Sequence, residues 1–188
     1  MVLKVKIQIK GITKPPVWRR LMIPGQLTFQ QFHQVIQAAF GWQDYHLFQF
    51  SKGGYGSNPQ IGIADENWSE EELVDAKTTR VSQYLKVKGE KFCYIYDFGD
   101  DWIHQIIVED VLNEAQIGPV LINGKGACPP EDCGGVWGYE ELKSILENPK
   151  HPDHRDTKEW LGLKARDQWD VNWFDLEETK HAVAFAIW

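Results

Sequence analysis

Residues 92–108, FCYIYDFGDDWIHQIIV, form the central segment of the predicted fold. Aromatic and β-branched residues fill both ends of the stretch, as is typical of β-strands. An acidic segment that contains Gly99 lies between them. The pattern predicts a β-hairpin in which Gly99 takes the positive φ that tight turns require.

The register of this hairpin determines which side chains share a face. A two-residue turn that begins at Gly99 would pair Asp97 with Trp102 and Ile95 with His104. A turn with an odd number of residues would shift this pairing, so the prediction is conditional on an even number. With an even turn, alternation places these residues on one face: Cys93, Ile95, Asp97, Trp102, His104 and Ile106.

Size and composition predict one soluble domain of 188 residues. We expect a sheet-and-helix core over 1–112, with a loop and helical part over 113–188 packed on it. Three cysteines, a strand-like N-terminus and the lack of a long apolar run predict a cytoplasmic protein with reduced thiols that does not enter a membrane. The net charge of −7 disfavours nucleic acid as a partner, although a local basic patch is compatible with it.

The N-terminal half predicts two strands, a helix and another strand. Residues 2–12 alternate apolar and polar side chains, which predicts a strand with one solvated face, and residues 17–23 predict a second strand. Thr28 and Gln31 predict a capping box for a helix that ends at Gly41. Residues 45–50 predict the next strand.

The remaining segments complete the predicted fold. Residues 52–79 predict a mostly irregular, acidic surface loop rather than a functional lid. Helices are predicted over 139–146 and 154–161, and a last helix is predicted to begin after an Asp175 cap. The order predicts an α+β fold with a mainly antiparallel sheet, compatible with a β-grasp-like core, and a helical C-terminal third.

Four segments are together similar to a known family. They are PPVWRRLMIP (15–24), FGWQDYHLFQF (40–50), YDFGDDWIH (96–104) and CPPEDCGGVWGY (128–139). Over nearly the whole chain they resemble the Ri-plasmid open-reading-frame-three-like family. The resemblance implies no activity, because the family has no established one, although some relatives carry a transposon-resolvase label.

The residues of this chain do not fit the chemistry that the resolvase label implies. A serine recombinase needs a nucleophilic serine among arginines and a basic DNA-binding module. The five serines lie in polar or acidic neighbourhoods, far in sequence from Arg19 and Arg20, and no basic recognition helix is evident. The sequence therefore argues against DNA recombination.

The acidic turn of the hairpin is a candidate site. Carboxylates with one or two imidazoles suit a divalent metal, which predicts Asp97, His104 and His46 as metal ligands. Alternatively, Asp97 orients His104 as a general base, so that both are catalytic residues. A structural alternative is that Asp97 and Asp100 accept backbone hydrogen bonds in the turn while His104 is a half-buried hydrogen-bonding residue.

The glycine- and proline-rich loop over 123–138 is the second candidate segment. Its glycines let backbone N–H groups approach an anion near the start of a helix, or they make a rigid loop that packs on the sheet. Cys128 and Cys133 lack zinc-knuckle spacing and are interpreted as structural or incidental. The hairpin, this loop and the second predicted strand give the candidate ligand-binding residues: Arg19, Asp100, Trp102, Glu131, Asp132, Gly134, Gly135 and Tyr139.

The leading hypothesis is a domain that binds a small ligand or a protein partner. In this hypothesis the hairpin turn and the proline-glycine loop meet at one edge of the sheet and form a polar pocket. The rival hypothesis is a metal-assisted hydrolase that uses His46, Asp97, His104 and Glu131.

Overall fold

The structure, a computed structural model, describes residues 1–64 and 73–188. Within these residues the chain has a mixed α+β fold with eight strands and four α-helices. The strands are β1 (Val2–Ile9), β2 (Trp18–Pro24), β3 (Phe48–Ser51), β4 (Ile61–Gly62), β5 (Val74–Asp75), β6 (Lys91–Tyr96), β7 (Trp102–Leu112) and β8 (Val120–Lys125). The helices are α1 (Phe29–Phe40), α2 (Gly135–Glu147), α3 (His154–Trp160) and α4 (Leu176–Phe185), with a 3-10 turn at Val81–Gln83.

One sheet contains all eight strands, in the order β5-β4-β3-β6-β7-β1-β2-β8. Every pair of neighbours is antiparallel except β4 and β5, which are parallel. The predicted α+β class with a mainly antiparallel sheet is therefore confirmed. None of the helices in the described part of the chain has the length and hydropathy that a membrane span requires.

The helix α1 forms where its capping signals predicted it. The Thr28 hydroxyl accepts from the Gln31 backbone N–H at 3.2 Å, and the Gln31 side chain accepts from the Thr28 N–H at 3.0 Å. Gly41 ends the helix with φ 81°. The ring of Phe32 then stacks on Phe50 of β3 at a centroid distance of 5.6 Å, which fixes α1 on the sheet.

The sheet has one buried face and one partly solvated face. Along β1, Leu3, Val5, Ile7 and Ile9 are fully buried on the side that packs against the helices. The alternate side chains at 4, 6 and 8 are only half-buried. The predicted strand with one solvated face is thus confirmed.

The register predicted for the central hairpin is wrong. Tyr96 pairs with Trp102 and Tyr94 with His104, because the turn contains five residues rather than two. The N–H of Asp101 donates to the carbonyl of Asp97 at 2.7 Å and closes this turn. Since an odd count shifts the pairing by one residue, Trp102 and His104 share a face with the two tyrosines instead of with Asp97.

The backbone of the turn also differs from the prediction. The positive φ angles belong to Asp97 (56°) and Asp101 (54°), at the two ends of the turn, and not to Gly99. Aspartate tolerates this left-handed conformation better than most residues. The Asp97 carboxylate supports it by accepting from the Gly99 N–H at 2.9 Å, the hydrogen bond of the structural alternative given for this side chain.

Three strands were not predicted, and β3 begins at Phe48 rather than at residue 45. Two of them, β4 and β5, lie within the region predicted to be an irregular loop, of which residues 65–72 are outside the described part of the chain. The third, β8, contains Asn123 and Gly124, which are typical of turns. Gly124 is required there because a Cβ atom would lie 2.6 Å from the Phe174 ring.

The C-terminal helices begin close to their predicted starts. The helix predicted from residue 139 begins at Gly135, and the helix predicted from residue 154 begins there. The Asp175 carboxylate caps α4 by accepting from the Glu178 N–H at 2.9 Å, as predicted. Of the described residues in α4, only Val183 is fully buried.

Candidate metal centre

The hairpin turn and the proline-glycine loop come together, as the sequence predicted. The Gly134 N–H donates to the carboxylate of Asp100 at 3.1 Å. A Cβ atom at Gly135 would lie 2.4 Å from the Asp100 carbonyl oxygen, so the backbones are close enough to require glycine. On the other side of the loop, the indole N–H of Trp42 donates to the carbonyl of Pro129 at 2.9 Å.

Three side chains converge beside this junction. His46 Nε2 lies 3.2 Å from Oδ1 of Asp132 and 3.7 Å from Oδ2 of Asp97. One potential ligand atom from each residue lies within 4.8 Å of the other two. Among the described residues, this is the group of His, Cys, Asp and Glu side chains that is close enough to hold a metal ion.

The sheet places His46 and Asp97 side by side. His46 precedes β3 and Asp97 follows β6, and these strands pair with Phe48 opposite Tyr96. The Asp97 N–H donates to the carbonyl of Leu47 at 3.0 Å, which extends the pairing beyond both strands. The two side chains therefore project from the same end of the β3–β6 pair.

Asp132 reaches the same point from the loop before α2. Its φ of 57° turns the backbone sharply there. The Asp132 side chain is 66% exposed, whereas those of His46 and Asp97 are 28% and 11% exposed. The centre is therefore open to solvent on the side of Asp132 and closed on the side of Asp97.

The Nε2 atom of His46 is the most informative atom of the group. It is buried and has no hydrogen-bond partner of acceptable geometry among the described residues. It nevertheless faces two carboxylates, the ordinary partners of an imidazole N–H. Ligand atoms about 2.1 Å from a tetrahedral metal lie about 3.4 Å apart, a value between the two observed nitrogen–oxygen distances.

Glu131 supports this arrangement without joining it. Its carboxylate accepts from the Tyr96 hydroxyl and, at 2.9 Å, from the Gln43 N–H. The Tyr96 oxygen in turn accepts from the Tyr45 N–H at 3.0 Å. Burial, and then the Glu131 carboxylate, raise the pKa of Tyr96, so its hydroxyl stays protonated and can donate. Glu131 thus ties the segment just before His46 to its own loop.

His104 lies in the core, away from His46 and Asp97. It is 0% exposed, its Nδ1 donates to the Trp102 carbonyl at 2.8 Å, and its ring meets Phe40 and Trp42 edge-on. Burial lowers the pKa of His104 to about 3, so the imidazole is neutral near pH 7. The structure does not bring His104 and Asp97 together, either as a metal-ligand pair or as a base with its orienting group. Asp132 occupies the third position instead.

Arg19 and Trp102, predicted as ligand-binding residues, are also buried. Arg19 is 3% exposed and donates to four backbone carbonyls, the shortest bond being 2.8 Å to Ala39. Burial lowers the pKa of Arg19 to about 10. Trp102 is 0% exposed. Neither side chain reaches the three-residue group.

The other predicted residues of the loop have internal partners. Gly134 presents its N–H to an anion as expected, and that anion is the carboxylate of Asp100. The Tyr139 side chain is buried, with its hydroxyl donating to the carbonyl of Ala127 at 3.3 Å. Burial raises the pKa of Cys128, and it raises that of Cys133 to about 12, so both are thiols at neutral pH.

Comparison with known proteins gives uncharacterised relatives. The chain is 34% identical over 178 residues to the uncharacterized protein y4hQ of Sinorhizobium fredii, which covers 94% of this chain and 89% of that one. It is also similar to the crystal structure of a protein of unknown function, MM3350 from Methanosarcina mazei Go1. That likeness has a TM-score of 0.78 and 36% identity, and it covers 94% of this chain and 96% of the other.

A family model described as plasmid pRiA4b ORF-3-like protein matches residues 1–178. This match includes the hairpin, the proline-glycine loop and all three residues of the candidate centre. The chain therefore belongs to the plasmid pRiA4b ORF-3-like family.

Proposed function

We propose that this protein binds a divalent metal ion through His46, Asp97 and Asp132. The observation that carries the proposal is the buried Nε2 atom of His46, which lacks a hydrogen-bond partner while it faces two carboxylates. A metal ion would use the nitrogen lone pair and one oxygen of each aspartate. Two carboxylates and a neutral imidazole would also balance the charge of a divalent cation.

The donor set indicates which metals fit. One imidazole and two carboxylates suit zinc, manganese or iron better than calcium, which prefers an all-oxygen environment. Three protein ligands with an exposed Asp132 leave room for a water molecule or an external ligand on the metal. The polar pocket between the two loops would then bind ligands that carry an oxygen donor.

Metal binding is better supported than hydrolysis. A hydrolase would need a base or acid beside the metal in addition to the three ligands. His104 lies in the core, and the Glu131 carboxylate already accepts from Tyr96 and Gln43. Of the described residues that the hydrolase hypothesis names, neither His104 nor Glu131 is therefore available for that role.

Metal analysis tests the proposal. We expect protein purified without chelator to contain about one equivalent of zinc, manganese or iron by mass spectrometry. After removal of metal with EDTA, calorimetric titration should recover one site, and His46→Ala and Asp97→Asn should abolish it. The matched control is His151→Ala. His151 is 32% exposed, close to the 28% of His46, and it also lies 3.7 Å from a carboxylate, that of Asp153, but it is outside any such group in the described chain. Unchanged stoichiometry and affinity in His46→Ala would overturn the proposal.

The metal centre depends only on the turn, the loop and the β3–β6 pair. A β-grasp-like topology, a helical C-terminal third and a cytosolic location stay predictions.

A further inference from the structure

The partly solvated face of the sheet carries a row of three cations that crosses four strands. Lys6 of β1 pairs with Arg20 of β2 on one side and with Ile107 of β7 on the other, and Ile107 pairs with Lys91 of β6. Directly paired residues of antiparallel strands point to the same face. The row therefore consists of Arg20, Lys6, Ile107 and Lys91. It spans about 14 Å, because it crosses three strand spacings of about 4.8 Å each.

A tryptophan lies beside this row. Trp18 of β2 pairs with Gln8 on one side and with Lys125 of β8 on the other. Its half-buried ring has the Lys6 ammonium 5.2 Å and the Arg20 guanidinium 5.0 Å from its centroid. An aromatic ring, two cations and an amide are thus grouped on one accessible surface.

The charge of this face is opposite to that of the whole chain. The chain carries 27 acidic and 20 basic side chains, yet the face holds Lys4, Lys6, Arg20, Lys91 and Lys125. On the five strands that carry these cations, β1, β2, β6, β7 and β8, the carboxylates of this face are Asp110, opposite Lys4, and Glu109, which pairs with Arg20 at 2.6 Å. Arg20, followed by the nearby lysines, lowers the pKa of Glu109, as expected in a region of positive potential.

We propose that this face binds single-stranded nucleic acid. The phosphates would lie along the row of cations, and a base would stack on Trp18. Proteins that bind single strands combine such a basic track with an aromatic platform, and an antiparallel sheet presents both types of side chain in one plane. The net charge of −7, which disfavours nucleic acid as a partner, does not describe this local surface.

Fluorescence anisotropy with a labelled oligothymidylate of about 15 nucleotides tests the proposal, in EDTA so that the metal centre plays no part. We expect binding at about 50 mM salt, with log K falling linearly against log salt by about 0.7 per phosphate contacted. The double variant Lys6→Gln, Lys91→Gln should reduce that slope by about 1.4. Trp18→Ala should weaken binding about tenfold.

Two controls separate this face from general attraction. The double variant Lys150→Gln, Lys164→Gln removes two exposed cations elsewhere and should leave affinity and slope unchanged. Circular dichroism should show that every variant keeps its fold. Because the Lys6 and Lys91 double variant removes only accessible charges, it tests the proposal even if Trp18→Ala unfolds.

Several results would overturn the proposal. They are no binding at the lowest salt, tighter binding to a duplex of the same length, and equal weakening by the control variant. Tighter binding to a polyglutamate peptide than to the oligonucleotide would assign the face to an acidic protein partner instead. Comparing the affinity for an oligouridylate of equal length with that for the oligothymidylate then shows whether the face prefers RNA or DNA. Either preference supports the proposal.

Discussion

The Nε2 atom of His46 lies 3.2 Å from the Oδ1 atom of Asp132, although His46 precedes β3 and Asp132 belongs to the loop before α2. This contact exists because the hairpin turn holds that loop in place. The carboxylate of Asp100 in the turn accepts a hydrogen bond from the N–H of Gly134, which is two residues after Asp132 in the loop. The candidate centre therefore depends on the attachment of the loop to the turn.

Removing the Asp100 carboxylate should loosen this attachment. We expect Asp100→Ala to lower the free energy of unfolding by about 1 kcal/mol, the usual cost of losing a carboxylate at a helix N-terminus. Metal affinity should also fall, because Asp132 is no longer held beside His46. Chemical denaturation and calorimetric titration measure the two effects.

The matched control for this variant is Asp170→Ala. The Asp170 side chain accepts from the Asn172 N–H at 2.8 Å, so it loses a comparable exposed bond outside the centre. Its metal affinity should equal that of the unchanged protein. Equal affinities in both variants would contradict the role given to Asp100.

The close approach at Gly135 gives a second prediction. Gly135 has φ 66°, and a Cβ atom there would lie 2.4 Å from the Asp100 carbonyl oxygen. Gly162 has nearly the same φ, 68°, with no atom within 4 Å of a Cβ. Gly162→Ala should lower the free energy of unfolding by about 1 kcal/mol because of the backbone conformation alone. Gly135→Ala should lower the free energy of unfolding by clearly more than this. It should also weaken metal binding, because the loop must move away from the turn.

Thermal and urea unfolding of the two alanine variants measure this difference. Since both substitutions place alanine at the same positive φ, the difference isolates the contact with Asp100. If Gly135→Ala were no more costly than Gly162→Ala, the turn and the loop would not be in the contact described.

The buried imidazole of His104 predicts a pH dependence of stability. Its pKa is lowered to about 3, whereas an unfolded histidine titrates near its ordinary value of 6.5. Between these values the unfolded chain binds the extra proton. Stability should therefore be full above about pH 6.5 and should fall on acidification by up to about 1.4 kcal/mol per pH unit from this residue.

His104→Leu removes the titrating group and fills the apolar site. Urea unfolding at several pH values should give this variant a flatter profile between about pH 6 and pH 4 than the unchanged protein. His154→Gln, which changes a half-buried histidine outside the sheet, should keep the original slope. A slope unaffected by His104→Leu would contradict a neutral, buried His104.

Local signals in the sequence predicted the elements better than their assembly. The capping residues Thr28 and Gln31 fix the start of α1 through bonds between near neighbours, so the sequence was sufficient there. The strand β8 was missed because its Gly124 is imposed by a distant contact with Phe174. The hairpin register was wrong because it depends on the left-handed backbones of Asp97 and Asp101, which no pattern of hydrophobicity reveals.

The sequence identified both segments of the candidate site and two of the three residues in the group. Unusual composition identified the turn and the loop, and the structure brings them together. His46 and Asp97 belong to the group, whereas His104 lies in the core once the register shifts by one residue. Asp132 was predicted as a ligand-binding residue and not as a metal ligand, because its place beside His46 depends on tertiary structure.

Anomalous X-ray scattering from crystals soaked in a zinc salt tests the metal centre most directly. We expect one strong anomalous peak about 2.1 Å from His46 Nε2 and from one oxygen each of Asp97 and Asp132. The peak should be absent from crystals of His46→Ala. A fully soaked crystal with no peak between these three residues, or with the same peak in His46→Ala, would contradict the proposed metal centre.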